Sequence, residues 1–190
     1  MQYQDWFTLY LSTYKRDIKP RTREEYERQH RAYIAPIIGD KPLEDISPED
    51  CQAIINAAAT NGERIAQAVY ALLRAAFRRA VRSRRLQWSP MDAIDRPKHH
   101  PEPGNALTDA DYLAAVPDIS GDLALSLALF AGLRRAEITG LQWGDVDLVA
   151  NVLHIRRIRH RVGGKLIDAA PKSAAGVRDL PIAPELLPIL

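Results

Sequence analysis

A single cysteine, Cys51, is the only thiol in the 190-residue chain. That excludes a disulfide framework and any zinc or iron site built on several cysteines, and it fits a reducing compartment. Long apolar runs are also missing: nothing approaches the roughly 18 residues that a membrane span requires. The opening QYQDWFTLYL has no basic stretch ahead of an apolar one, so no secretory signal is expected. A cytoplasmic protein with no membrane partner follows. An excess of one charge is absent as well, since 26 Lys and Arg stand against 24 Asp and Glu. The length suffices for one large or two small domains.

The near-neutral total hides an uneven placement. Residues 1–105 hold 17 basic and 14 acidic residues, and residues 106–190 hold 9 and 10. From Glu63 to Leu86 there are seven arginines (Arg64, Arg74, Arg78, Arg79, Arg82, Arg84, Arg85) and one acid, Glu63. Between the halves, RPKHHPEPGNA (Arg96–Ala106) has three prolines, a glycine and no apolar period, which predicts a linker. His99 and His100 within it have no Cys or carboxylate at ligand spacing, so they are expected to be solvated, and no metal site is expected.

Before the linker, helix signals dominate. Tyr3, Phe7, Tyr10, Leu11 and Tyr14 form a helical stripe. A second helix is expected from Thr22, capped by the T-x-x-E pair Thr22 and Glu25, and ending before Pro36. Ser47, Pro48 and Asp50 predict the start of a third, leading into Ile54, Ile55 and Ala58. A fourth is expected from about Gly62 to Leu86, with Ile65, Val69, Leu72, Leu73, Ala76, Phe77 and Val81 as its apolar face. After the linker, Thr108 and Asp111 open a helix, Leu123–Phe130 forms another stopped by Gly132, and Arg135–Leu141 can form a short one. Val152–Ile155, Ile158–Val162, Lys165–Ala169 and Val177–Ile182 then carry branched residues between Gly163-Gly164 and SAAG turns, the pattern of strands. The fold class expected is a mainly α N-terminal domain of four or five helices (1–95), a linker (96–106), and an α+β second part (107–190) with a small antiparallel sheet.

Arg74, Arg78, Arg82 and Arg85 are spaced to share one face of the fourth helix. Such a row repels itself, and a polyanion would relieve the cost. Phosphate neutralisation by these residues and Arg79 would give salt-sensitive DNA affinity. The bland alternative is a solvated face paired with Glu24, Glu25 and Glu27. Arg21, Arg23 and Arg28, with His30 and Arg31, make the second helix a weaker DNA-facing candidate, because acids are interspersed.

FAGLRRAEITGLQWGDVDL (Phe130–Leu148) is the most specific stretch. Gly132 ends one helix and Arg134 begins the next, where free backbone amides favour an anion. An Arg134 guanidinium there can grip two phosphate oxygens, and Glu137 can orient it, although a pair three apart is ordinarily a helix-surface contact. Gly132, Leu133, Arg134, Glu137, Leu141, Trp143, Asp145, Val146 and Asp147 resemble the first-arginine motif of the tyrosine recombinase (phage integrase) family, with Ala131 in place of Thr and Ala136 in place of Gly or Ser. APKSAAGVRDLPIAPEL (Ala170–Leu186) resembles the family's lysine-bearing hairpin and the strand after it. Thr22, Tyr26, Ile34–Ser47 and the arginine-rich helix resemble its SAM-like helical core-binding domain.

The resemblance implies DNA integration and recombination through a 3′-phosphotyrosyl intermediate, without metal or nucleotide cofactor, on double-stranded attachment or core sites and with self-association on DNA. It implies that Arg134 is the first catalytic arginine, Glu137 its orienting acid and Lys172 the general acid delivered from a hairpin tip, with Lys165 the competing lysine. Trp143, Asp145 and Asp147 are expected to pack and cap. The family also needs H-x-x-R, a further His or Trp, and a tyrosine nucleophile beyond these motifs. The last tyrosine here is Tyr112 and the last histidine His160. The 190-residue chain is therefore expected to bind DNA without cleaving it, as part of a larger recombinase. The alternatives are a non-catalytic DNA-binding protein derived from an integrase, and a helical domain with no nucleic-acid role.

Overall fold

The computed structural model describes residues 1–100, 104, 106–119 and 121–190. Pro101, Glu102, Pro103 and Asn105 of the expected linker lie outside the described residues. The chain divides into two compact units, Met1–Pro103 and Gly104–Leu190.

In the first unit, α1 (Tyr3–Leu9) runs on through a π-wound turn, Tyr10–Tyr14. Next come α2 (Pro20–Gln29), a second π-wound turn (His30–Ile34) and α3 (Ala35–Ile38). The hairpin of α4 (Pro48–Ala59) and α5 (Glu63–Arg82) completes it. Tyr3, Trp6, Tyr10, Ile34, Ile38, Ile54, Leu73 and Phe77 are fully buried in one core. Half-buried His30 packs against that core, stacked on Phe7 with ring centres 4.0 Å apart.

The α4 cap forms as its sequence predicts: the Asp50 amide donates to Ser47 Oγ at 3.2 Å, and the Ser47 amide to Asp50 at 3.1 Å. Three other boundaries differ. α2 begins at Pro20 with no side-chain cap, because proline presets φ for the first helical position, and Glu25 bonds Arg28 and Gln29 instead of Thr22. Pro36 does not end the helical run, because the π turn before it places it in the first turn of α3, where a missing N–H costs no intrahelical bond. α5 stops at Arg82 rather than near Leu86. Arg84 takes a left-handed φ of 56°, while the Arg84 amide bonds the Val81 carbonyl and the Arg85 amide that of Ala80. These two bonds close the helix as a Schellman turn, with arginine where glycine is usual.

The chain beyond the short helical turn Pro90–Ala93 runs back along α5 as a strap. Tyr70 Oη donates to the Ile94 carbonyl (3.3 Å), Gln67 to the Pro97 carbonyl (2.8 Å), and the His100 amide to Glu63 (3.0 Å). Residues 70, 67 and 63 lie on one helix face and meet every third residue of the strap.

In the second unit, α6 (Asp109–Ile119) starts at the Thr108–Asp111 box, and α7 (Leu123–Ala131) is capped by Asp122 and ended by Gly132 at φ 62°. α8 covers only Arg135–Ile138. β1 (Val146–Asp147), β2 (Val152–Ile155) and β5 (Arg178–Pro181) form an antiparallel sheet in the order β1-β2-β5, and β3 (Ile158–Val162) pairs with β4 (Lys165–Ala169) as a separate hairpin. β1 escapes sequence reading because two residues show no period. α8 falls short of Leu141 because Gly140 lies against the chain at Arg157–Arg159; a Cβ there would sit 3.0 Å from the Arg157 carbonyl oxygen. Leu127, Leu133, Leu153, Ile155, Ile182 and Leu186 make the core.

Burial lowers the His30 pKa from 6.5 to about 4. As pH falls the unfolded chain takes the proton first, so the stabilising contribution is complete above about pH 6.5 and is lost between there and about pH 4. Thermal midpoints from near-ultraviolet circular dichroism should fall across that window, and His30→Phe should flatten the fall. The strap is checked by limited trypsinolysis: Gln67→Ala with Glu63→Ala should speed cleavage after Lys98 several-fold while leaving the helical signal intact.

Candidate functional site

α5 turns Ala66, Val69, Leu72, Leu73, Ala76 and Phe77 inward and leaves Arg74, Arg78 and Arg82 exposed. Among the described residues none of these three has a carboxylate partner within 4.0 Å. Arg74 donates instead to Tyr70 Oη at 2.7 Å. Arg79 is half-buried, its guanidinium 3.9 Å from the centre of the Tyr14 ring. Arg85 is not on the row: it lies past the end of α5, over the Trp6 ring at 5.7 Å.

The second helix is less available than its arginine count suggests. Arg23 donates to the Leu11 carbonyl at 2.9 Å and lies near Glu27, and Arg28 forms a two-bond pair with Glu25. Both therefore serve contacts within the unit, and Arg28 holds the Glu25 carboxyl below the usual carboxylate range. Arg21 and Arg31 are exposed. His30 is half-buried, its ring stacked on Phe7.

The second unit brings Arg134, Glu137 and Arg178 together. Glu137 has a side chain only 2% exposed, and its carboxylate accepts from the Arg134 amide (2.9 Å), from Arg134 Nη1 (3.0 Å) and from both terminal nitrogens of Arg178 (2.9 and 3.0 Å). The amide expected to favour an external anion is thus taken by Glu137. Hydrogen bonds from Arg178 first, then from Arg134, outweigh burial and hold the Glu137 pKa down at about 2. Arg134 itself keeps a side chain 77% exposed, so its guanidinium is tethered at one edge and open elsewhere. Arg178 was not selected from sequence. Its signal was an arginine at an inward position of β5, alternating with Leu180.

Lys172 is exposed on the connection between β4 and β5, not at a hairpin tip; Lys165, beside Gly163-Gly164, occupies the tip. Asp145 caps the Gln142 amide and pairs with Arg157, while Asp147 accepts the amides of Val149 and Ala150. Trp143, expected to pack, is 67% exposed beside Leu123, Leu127 and Leu141 on an apolar groove. Among the described residues no group of three or more His, Cys, Asp or Glu side chains could hold a metal, and no helix is long and apolar enough to cross a membrane.

Residues 2–58 match the family described as phage integrase, N-terminal SAM-like domain. Over 180 residues the chain is 30% identical to the phiRv2 prophage integrase of Mycobacterium tuberculosis, covering 93% of this chain and 48% of that protein. It is 30% identical over 157 residues to the integrase of Escherichia phage HK022, covering 80% and 43%. Along most of its length the chain is thus similar to phage integrases. The chain spans about half the length of these curated relatives. Its fold is similar to that of the Tn1549 transposon integrase in complex with a circular intermediate DNA, with TM-score 0.82 and 22% identity over 98% of this chain and 62% of the other. A lambda integrase dimer bound to a COC′ core site gives TM-score 0.68 and 24% identity, over 90% and 62%.

In the second unit Arg178→Ala would leave a buried carboxylate without its two-bond partner, and should cost about 3 kcal/mol. Arg134→Ala, at an exposed pair, should cost under about 1 kcal/mol. Urea denaturation of the two variants checks the contrast. Because the Glu137 pKa is depressed, the network's contribution is complete above about pH 4.5 and is lost as pH falls towards 2.

Proposed function

We propose that the chain is the DNA-binding portion of a site-specific tyrosine recombinase, with residues 1–95 as the core-binding domain, 96–106 as the connection and 107–190 as the first part of the catalytic domain. The observation that carries this reading is Arg134: a guanidinium tethered by a buried carboxylate, yet left 77% exposed. A purely structural pair would gain nothing from presenting the cation to solvent. A phosphodiester would gain a preorganised two-point grip.

Strand exchange passes through a crowded pentacoordinate phosphorus with added negative charge, and fixed guanidinium groups stabilise that charge as it develops. Arg134 supplies one, and Glu137 with Arg178 fixes its position. Lys172 is the proposed general acid, giving its proton to the 5′ oxygen as that oxygen leaves; Lys165 at the hairpin tip is the competitor. The scheme uses charge from side chains and calls for no cofactor or metal. The nucleophile in the intact recombinase is a tyrosine beyond Tyr112, the last in this sequence. Double-stranded attachment or core sites are the proposed partner, bound along Arg74, Arg78, Arg79 and Arg82, with Arg21 and Arg85 at the margins. Self-association on DNA is supported by the lambda integrase dimers and tetramer in complex with DNA. A cytoplasmic location follows from the same reading, and the free, buried Cys51 accords with it.

A gel shift with an inverted-repeat duplex across a salt series, beside a nicked suicide substrate probed for covalent adduct, tests the reading. Retention should fall steeply with salt, the pair Arg78→Glu with Arg82→Glu should abolish it, and the 190-residue chain should form no adduct. Retention unchanged by that double substitution would sink the proposed interface.

A further inference from the structure

The π-wound turn that follows α1 and the C-terminal half of α5 enclose an open groove of about 550 Å³. Lys15, Arg78, Arg79 and Arg82 line it together with Tyr10 and Tyr14, and no carboxylate is among the lining residues. Four cations facing one space without an acid is a costly arrangement for a solvated surface. Arg79 adds a second peculiarity. Its guanidinium lies on the Tyr14 ring, Ser83 Oγ bridges the Arg79 carbonyl (2.8 Å) and the Tyr14 hydroxyl (3.4 Å), and the Arg79 Nε is buried with no hydrogen-bond partner. The stack fixes this cation in place, but its hydrogen-bonding capacity is incompletely used.

We infer that this groove takes one backbone phosphate of the bound DNA, and that Tyr14 and Lys15, at the end of the π-wound turn that follows α1, are part of the interface. The inference rests on the DNA-binding reading above and adds a second helix to it. Lys15 and Arg78 supply mobile charge from opposite walls. Arg79 supplies a guanidinium already oriented by Tyr14, so little side-chain entropy is lost when an anion arrives. A phosphodiester suits the site because its two anionic oxygens can meet different walls at once, while its neighbours along the strand leave through the open ends. No base edge is needed, so this contact should position the duplex without reading its sequence.

Fluorescence anisotropy of the full chain with a labelled duplex, across a potassium chloride series, gives the test. Lys15→Ala should weaken binding about fivefold at 0.1 M salt and lower the slope of log affinity against log salt by about 1, for specific and scrambled duplexes alike. Tyr14→Leu, which removes the ring beneath Arg79, should weaken binding similarly, Tyr14→Phe should not, and Lys15→Arg should restore the wild-type slope. Thermal melts of each variant separate lost contacts from lost folding. If wild type binds and Arg78→Ala lowers the slope while folded Lys15→Ala and Tyr14→Leu match wild type, the groove proposal is overturned and the DNA reading stands. If wild type shows no salt-dependent binding, both fall.

Discussion

Because α5 must bury Ala66, Val69, Leu72, Leu73, Ala76 and Phe77 on one side, its polar residues have only the remaining circumference, and the first unit is organised around how that circumference is divided. Glu63, Gln67 and Tyr70 take one strip and hold the returning strap. Arg78 and Arg82 take another and face the groove beneath the end of α1. Arg74 touches both, since it lies on the arginine row and donates to the hydroxyl that holds Ile94. The core, the strap and the basic face are thus three uses of one 20-residue helix.

The second unit solves a different problem, that of keeping a carboxylate ionised where water cannot reach it. Glu137 is stable there because it accepts four hydrogen bonds, three from guanidinium groups and one from a backbone amide. The two arginines contribute unequally. Arg178 approaches from β5 with both terminal nitrogens and ties the sheet to α8; Arg134 contributes one nitrogen and retains the rest of its fork. This asymmetry separates an anchoring cation from a presented one, although both touch Oε1 of the same carboxylate.

Much of this was legible in residue order. Local signals with a short reach, such as the Ser47–Asp50 box, the stop at Gly132 and the β3–β4 turn at Gly163-Gly164, involve neighbours in sequence and emerged with the expected partners. The family-like stretch around Arg134 placed Glu137 beside it for the same reason. Contacts between distant residues were not legible: Arg178 is 41 positions from Glu137, and only sheet register brings it there. The contacts of Arg23 with the Leu11 carbonyl and of Arg28 with Glu25 were likewise not among those expected. Trp143 was misjudged because an aromatic residue in a motif invites burial, and nothing in its immediate sequence reveals the open groove beside it.

The two π-wound turns, Tyr10–Tyr14 and His30–Ile34, carry a further implication. A π turn holds about one residue more than the α turn it replaces, so each marks a place where a helix has absorbed an extra residue without losing the phase of its buried face. Removing one residue from either turn could rewind it as α-helix, with the flanking contacts of Trp6 or Ile38 undisturbed. Removing one from the centre of α5 would instead swing every following side chain by about 100°, exchanging Phe77 with the arginine row. Tolerance to changes in chain length is therefore concentrated at the two wide turns, and the stretch between Ala66 and Ala80 has none.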